Sequence, residues 1–340
     1  MGSVGVGAVK TILVTGGAGF IGGAILKMAK ERGLDCLSLS RRFSEDLAAL
    51  GVRQIQADIG DFPALTVAFS SVDTVIHAAA IAGVWGAWRD YQRANIDGTA
   101  NVLAACRQCG VKNLVYTSTP SVVFDRDDIR GDDESLPYAR RFLCHYGKSK
   151  AIAEKMVLAA NGETLKTCAI RPHLVWGPGD PHLLPRLVER GRRGKLKIVG
   201  DGENLVDISY IDNVAHAHLL AADNLDAAGA AMGKAYFVSQ GEPVALWPWI
   251  NQLFSRLGMA PVRKKIPFAA AYGLGATIEG LYALCGKTSE PPMTRFVAEQ
   301  LAKSHYFSID RARRDLGYQP LVTHEEGLRR AVAWLNTMAL

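Results

Sequence analysis

A short β-branched run, Thr11-Ile-Leu-Val-Thr15, is followed at once by glycines and then by "FIGGAILKMAKERG". Strand, glycine turn and helix in this order constrain the fold more than any other feature of the chain. Gly16, Gly19 and Gly22 have the spacing of a dinucleotide fingerprint. The first permits the tight turn. The second lets backbone N–H groups approach a pyrophosphate at the helix N-terminus, where Phe20 and Ile21 follow. The third lets helix and strand pack closely. Ile21, Ile25 and Met28 share one helical face, and Gly33 can stop the helix.

The rhythm continues. "CLSLS" (36–40), "RQIQAD" (53–58), "DTVIHAAA" (73–80), "NLVYTST" (113–119) and "KTCAIRP" (166–172) read as strands, and long helices are expected over 88–110 and 142–160. This alternation predicts an α/β protein with a doubly wound parallel Rossmann sheet. After residue 172 it breaks into short strands, turns and helices, with no Gly/Ser-rich or charged linker. We therefore expect a flexible leader over 1–9, a Rossmann dinucleotide-binding core with the catalytic helix over 10–175, and a smaller, mainly helical substrate lobe over 176–340 with some segments returning to the core. "MGSVGVGAVK" has neither the basic nor the apolar region of a signal peptide, and no apolar run is clean enough for a transmembrane helix. A cytoplasmic location is expected, with peripheral membrane association as a further expectation.

Net charge is +6, which suits an anionic ligand. No zinc-finger spacing or arginine-rich arm is present, so no nucleic-acid partner is expected. Cys106 and Cys109 form a CxxC inside a helical stretch with no second pair, and the eight histidines form no ligand cluster, so no metal is predicted.

An acidic residue at the end of the second strand would accept from the 2′-hydroxyl of NAD. That strand ends Ser40-Arg41-Arg42 instead, and Asp35 stands at its beginning. Cations where a 2′-phosphate would sit predict NADP(H). Asp58 and Ile59, after the third strand, are placed to flank the adenine, although Asp58 could instead cap the next helix. Ala78, Ala79 and Ala80 end the fourth strand with small residues, as a backbone close to a cofactor requires.

In "HYGKSK", Tyr146 and Lys150 lie four residues apart on one helix face. Tyrosine is mostly protonated at neutral pH, and a nearby ammonium favours the phenolate and eases proton transfer. Lys150 can also donate to the nicotinamide ribose. "YTSTPS" offers Ser118, Thr119 and Ser121 as a third group to hydrogen-bond a substrate carbonyl. His145 precedes Tyr146 but belongs to another face, and Lys148 is turned away.

"TGGAGFIG", Asp58-Ile59, "HAAA", "ANIDGT" with Asn95, "YTSTPS", "YGKSK" and "RPHLVWGPGD" occur in the order found in extended short-chain dehydrogenase/reductases, and the chain resembles that family to about residue 335. The resemblance implies a role for Asn95 at the cofactor site and places the third catalytic group at Thr119, where serine is commoner, with Ser118 and Ser121 as the other candidates. It sets Pro172 beside the nicotinamide, with Leu174 and Val175 following. "DESLPY" and "EEGLRRAVAWL" resemble the 3β-hydroxysteroid and sterol-carboxylate dehydrogenase branch. "GVWGAW", "WGPGDPHLLPRL" and "AYFVSQGEP" are similar to the reductases of bacterial long-chain olefin biosynthesis. That likeness implies NADPH reduction of a 2-alkyl-3-oxoalkanoic acid to the 3-hydroxy acid. A 3β-hydroxysteroid or sterol dehydrogenase, or a non-catalytic nucleotide sensor on the same fold, are the competing readings. By analogy with the family, a homodimer through the two long helices is expected, and association with other enzymes of the pathway would be consistent with it.

The substrate side is expected in the C-terminal half. Residues 266–285 are nearly all apolar, with Glu279 the single charge and Arg263, Lys264, Lys265 and Lys287 flanking. They read as a core helix, a lid over a greasy channel, or an interfacial helix. Trp85 and Trp88 could wall the cleft or pack in the core, and His173 could line it. The basic run Arg186, Arg190, Arg192, Arg193, Lys195, Lys197 could meet a substrate carboxylate or form a solvated face.

Overall fold

The computed structural model describes residues 11–338, so the leader expected over 1–9 lies outside the described residues. Seven strands form the main sheet: β1 (Thr11–Thr15), β2 (Asp35–Ser40), β3 (Arg53–Gln56), β4 (Thr74–His77), β5 (Asn113–Thr117), β6 (Lys166–Pro172) and β7 (Ala235–Val238). Their order is β7-β6-β5-β4-β1-β2-β3, every pairing parallel. The winding reverses between β1 and β4, and a crevice opens at the carboxyl ends of these two strands, where α/β sheets bind ligands.

Both faces of the sheet are covered, which is why the central strands β1, β4 and β5 are buried along nearly their whole length, while the edge strand β3, Arg-Gln-Ile-Gln, is partly exposed. The helices are α1 (Phe20–Glu31), α2 (Phe62–Phe69), α3 (Gly98–Cys109), α4 (His145–Ala159) and α5 (Ile211–Asp226). In β1, Ile12 and Val14 point to one face and pack with Ile25 and Leu26 of α1 and Leu219 of α5. Leu13 points to the other, with Leu65 of α2, Leu103 of α3 and Val157 of α4.

Two helix boundaries differ from expectation. The stretch 88–110 is not one regular helix: an α-turn at Trp88–Tyr91 runs into a π-helical segment, Gln92–Asp97, before α3 begins. Gly110, left-handed at φ 70°, ends it. The helix expected from 142 starts only at His145, because Cys144 is extended (φ −139°, ψ 153°). Tyr146 therefore stands in the first turn of α4.

The rest of the chain packs around a second core that includes Trp176, Trp247, Trp249 and Phe254, and it is mainly helical. It is interleaved with the sheet. β7 returns to the main sheet, while Ile129–Asp132, from the first half, joins a four-stranded sheet with His305–Phe307, Leu205–Val206 and Val244–Ala245. In this part lie α6 (Phe268–Leu284) and α7 (Arg295–Ala302). α6 is not a core helix: only Ala271, Gly275 and Glu279 are buried, one narrow seam at i, i+4, i+8. Among the described residues no helix is long and apolar enough to cross a membrane.

Candidate active site

The crevice at the switch point holds a cavity of about 230 Å³. Gly16, Gly19, Arg41, Arg42, Asp58, Ile59 and Ala78 to Ala80, all expected at a cofactor, line it. Gly16 has φ +71°, and a Cβ there would stand 2.8 Å from the Ala79 Cα, so only glycine lets the first turn lie against the end of β4. A Cβ on Gly22 would come 2.3 Å from the Gly16 carbonyl oxygen, so glycine is also what seats α1 against the turn. α1 opens on Gly19 with no side-chain capping bond and no acid in its first turn. Its leading N–H groups are thus available to an anion. A small-residue cradle and an uncapped helix start fit a dinucleotide pyrophosphate.

Several expected residues do not line this cavity. Gly22 acts through packing, and Ile21 lies against the core clusters on the far side of the turn. Phe20 lines a neighbouring groove beside Gly179. Asn95 is fully buried in the π-helical segment. Its Oδ1 accepts from Ile81 N (2.8 Å), and its Nδ2 donates to Ile81 O (3.1 Å) and Ser149 Oγ (2.9 Å). It ties the chain leaving β4 to α4. Pro172 ends β6 and is buried, Val175 pairs with Ser209, and Leu174 between them has φ +42°. That left-handed conformation is rare for a residue as bulky as leucine and marks local backbone strain two residues after β6. Asp58 is not the helix cap. Asp61 takes that role, accepting from Ala64 N (3.1 Å), and Asp58 accepts from Gly60 N (2.7 Å).

The second group of residues meets at the end of β5. Thr119 caps a short 3₁₀ turn, accepting from Ser121 N at 3.2 Å and donating to Ser121 Oγ at 3.2 Å. Its hydroxyl also hydrogen-bonds the Tyr146 hydroxyl, which favours the phenolate. Burial is the larger influence and pushes the Tyr146 phenol up to about 12. The net direction is opposite to the easing expected from Lys150. The reason is placement: Lys150 Nζ donates to the Thr117 carbonyl at 2.6 Å and sits 4.0 Å over the Tyr116 ring. Burial pulls the Lys150 ammonium down to about 7, with the Glu154 carboxylate opposing. Ser118 Oγ is buried without a partner among the described residues, whereas Ser121 stays within the Thr119 turn.

Sequence reasoning missed the support of this group. Glu154, one turn beyond Lys150, is buried and accepts from Arg171 twice (Nη2 2.6 Å, Nε 3.0 Å) and from Tyr138 Oη (2.7 Å). Arg171 precedes Pro172, so a buried ion pair locks α4 to β6. The i+4 spacing from Lys150 and the Arg-Pro dipeptide were visible signals. Two buried histidines, His77 and His218, also lie near Lys150. Burial and the lysine charge hold both neutral, at about 3 and about 4.

Other expectations resolve simply. Trp85 and Trp88 are half-buried rim residues, not core. The Trp85 indole donates to the Lys287 carbonyl (3.0 Å), and Trp88 packs against His145 with Lys148 Nζ 4.7 Å above its ring. His173 does not line the cleft, being buried against His305 (2.6 Å). In the basic run Arg186 pairs with Glu290 and Arg193 with Glu189. Cys106 is a buried thiol, and Cys109 Sγ donates to the Thr66 carbonyl. Among the described residues no group of metal-ligating side chains occurs.

A doubly wound sheet with this crevice at its switch point defines an NAD(P)-dependent oxidoreductase of the short-chain dehydrogenase/reductase type. The chain belongs to the 3-beta hydroxysteroid dehydrogenase/isomerase family, whose model matches residues 13–269. It is 49% identical over 325 residues to the 2-alkyl-3-oxoalkanoate reductase of Stenotrophomonas maltophilia (strain K279a), covering 95% of this chain and 98% of that one. It is 48% identical over 335 residues to the 2-alkyl-3-oxoalkanoate reductase of Shewanella oneidensis, covering 96% and 87%. Among solved structures, MoeE5 in complex with UDP-glucuronic acid and NAD matches with a TM-score of 0.71 at 26% identity, over 96% of this chain and 99% of that one.

The MoeE5 complex corrects the expectation of NADP(H), since a related chain of this fold holds NAD. The crevice shows why the two arginines were a poor guide. A carboxylate reaches the same wall from the end of β3, with Asp58 Oδ2 4.0 Å from Arg41 Nε, and the Arg41 side chain is mostly in solvent. The cations are thus not an exclusive marker of a 2′-phosphate.

Proposed function

We propose that the chain reduces the 3-keto group of a long-chain 2-alkyl-3-oxoalkanoic acid to the 3-hydroxy acid, with Tyr146 as the proton donor. The observation that carries this reading is the placement of Tyr146 in the first turn of α4 beside Thr119 at the end of β5, with burial keeping the phenol protonated. A phenol near 12 is fully in its acid form at neutral pH. The substrate class is supported by the names of the two relatives at 49% and 48% identity, which favour a keto acid over a steroid.

The residues proposed to hold the nicotinamide dinucleotide are Gly16, Gly19 and the first turn of α1 at the pyrophosphate, Asp58 and Ile59 at the adenosine end, and Ala78 to Ala80 along the middle. Pro172, Leu174 and Val175 are assigned to the nicotinamide end. When bound, the dinucleotide supplies the hydride. Tyr146 gives its proton to the carbonyl oxygen as negative charge develops there. Thr119, which donates to Ser121 Oγ in the resting chain, turns its one proton to the same oxygen. Lys150, held by the Thr117 carbonyl beside the site, is assigned to the ribose as donor. Preorganised donors at the oxygen and positioning supply most of the rate. The finer parts of the reading are a homodimer through α3 and α4, association with other enzymes of the same pathway, and peripheral contact with a membrane surface.

A dinucleotide-oxidation assay comparing a long 2-alkyl-3-oxo acid with a 3-ketosteroid tests the assignment. The keto acid is expected to give the higher kcat/KM. A higher value for the ketosteroid overturns it.

A further inference from the structure

The largest feature that the chemistry leaves unused is the outer surface of α6. Its seventeen residues present no charge to solvent. Glu279, the one ionisable group of the helix besides its two tyrosines, is turned inward, accepting from Arg295 N at 2.7 Å and Arg295 Nε at 2.6 Å. Gly275 lies against the backbone at Thr294, where a Cβ would stand 2.7 Å from the Thr294 carbonyl carbon. The polar group and the close packing are both on the seam facing α7. What remains outward is uncharged: Leu274, Leu281 and Leu284 are 48%, 55% and 86% exposed, and the hydroxyl of Thr277 on the same face is returned to the Gly273 carbonyl at 2.9 Å. Leu274, Leu281 and Leu284 follow one another at intervals of seven and three, one continuous stripe along the helix. Leaving three leucines of one stripe in water is unfavourable, because each could remove most of its apolar surface from solvent.

Charge indicates what covers the stripe. Arg263, Lys264 and Lys265 are exposed just before α6, and Lys287 is exposed just after it. A second copy laid along the stripe in antiparallel fashion would bring Arg263–Lys265 of one helix against Lys287 of the other, and a parallel copy would pair each cationic end with itself. Both arrangements set like charges together. An anionic lipid surface satisfies both ends at once, with the leucines below the headgroups and the cations among them. On the seam side of the helix, Tyr282 packs edge-on against Trp85 with ring centroids 6.2 Å apart, and the Trp85 indole donates to the Lys287 carbonyl. Trp85 belongs to the loop that leaves β4 just past the Ala78–Ala80 wall of the crevice. Tyr91 Oη donates to the Trp85 carbonyl at 3.0 Å, and its ring meets His145, the residue before Tyr146, at 6.1 Å, so the C-terminal end of α6 is tied through this loop to the start of the catalytic helix.

We propose that α6 lies flat on an anionic lipid surface and holds the mouth of the active site against it, so that a long-chain substrate passes from lipid to crevice without crossing water. The proposal rests on the keto-acid reading for its purpose and not for its lipid contact.

The test uses the full chain without substrate, mixed with phosphatidylcholine vesicles or with phosphatidylcholine vesicles containing phosphatidylglycerol, and sedimented. The chain is expected to pellet with the anionic vesicles and to be released by salt. Leu281→Glu together with Leu284→Glu should weaken pelleting by about tenfold or more. Both positions are exposed, so the unfolding midpoint of the double variant should match that of the parent. Failure of the parent to pellet, or equal pelleting by the double variant, overturns the proposal. So does a double variant that converts a dimer to a monomer in light scattering while pelleting as before, because a second copy then covers the stripe. Pelleting is read without turnover, so its loss leaves the reductase reading standing, and absent keto-acid turnover with intact pelleting removes that reading alone.

Discussion

Asn95 and Ser149 join the π-helical segment to the catalytic helix: Asn95 Nδ2 donates to Ser149 Oγ at 2.9 Å while both atoms of the Asn95 amide also hold Ile81. Ser149 lies directly before Lys150, and Ile81 directly after the alanine wall of the crevice. One buried amide therefore sets the distance between the two halves of the site. Removing it leaves the Ile81 N–H and C=O without this partner, at about 1–3 kcal/mol for each group that water cannot reach, while the Ser149 hydroxyl keeps its bond to the Tyr146 carbonyl at 2.9 Å. Asn95→Ala is expected to lower both the unfolding midpoint and the affinity for the dinucleotide, measured by thermal denaturation and fluorescence titration. An unchanged affinity would show that the clamp has no bearing on the crevice.

The three hydroxyls at the end of β5 should separate cleanly. Thr119→Ala removes the hydroxyl beside Tyr146 that is proposed to donate to the developing oxyanion, and a loss of about 10²–10³ in kcat is expected. Ser121→Ala should cost much less, since Ser121 reaches the site only through Thr119. Ser118→Ala removes a buried hydroxyl that has no partner among the described residues, so it should hold or raise stability and leave kcat near the parent. A Ser118→Ala variant as impaired as Thr119→Ala would move the third role to Ser118.

Lys150 gives a pH dependence with a definite sign. Its ammonium is held at about 7 in the folded chain, against about 10.4 for an unfolded lysine. Between these values the unfolded state binds more protons, so this residue makes stability rise with pH from about 7 to about 10. Below about 7 both states are protonated and the cost of the buried charge is present in full. Lys150→Met is therefore expected to stabilise the chain at pH 6 and to lose that advantage by pH 10, as read from urea unfolding at the two values. A variant equally stabilised at both would mean that Lys150 does not titrate in this way.

The buried Glu154–Arg171 pair should be costly to break and informative when broken. Glu154→Gln leaves the Arg171 guanidinium buried beside an uncharged amide, a loss of about 3–5 kcal/mol by analogy with other buried pairs. It also removes the carboxylate that opposes the fall of the Lys150 ammonium. The alkaline change in kcat/KM should accordingly move to lower pH than in the parent. Unfolding curves and a pH profile measure the two effects separately, and a variant that loses stability with an unmoved profile would confine Glu154 to a structural role.

Much of this was legible in the residues because local chemistry determined it. Gly16 and Gly22 could be read because their neighbours leave no room for a Cβ, and that depends on spacing within a few residues. The parallel strands could be read because burial on both faces makes them apolar without alternation. What could not be read depends on contacts between distant segments. The π-helical turn around Asn95 is set by partners at Ile81 and Ser149, and a helical period alone gives no sign of it. Lys150 was expected to bear directly on Tyr146, but the Thr117 carbonyl and the Tyr116 ring, from the neighbouring strand, take its ammonium. α6 has the composition of a core helix. Its exposure became visible only when α7 covered a single seam, with Glu279 inward. The arginines after β2 predicted a phosphate because the sequence, although it places Asp58 at the adenine, does not show that its carboxylate comes within 4.0 Å of Arg41.

The central claim is that Tyr146 is the proton donor to the substrate carbonyl, and Tyr146→Phe tests it most directly. The phenyl ring keeps the packing at the start of α4 and removes only the hydroxyl. Reduction of a long 2-alkyl-3-oxo acid should fall by about 10²–10⁴, with the dinucleotide dissociation constant and the unfolding midpoint close to those of the parent. Turnover at the parental rate in Tyr146→Phe would contradict the account.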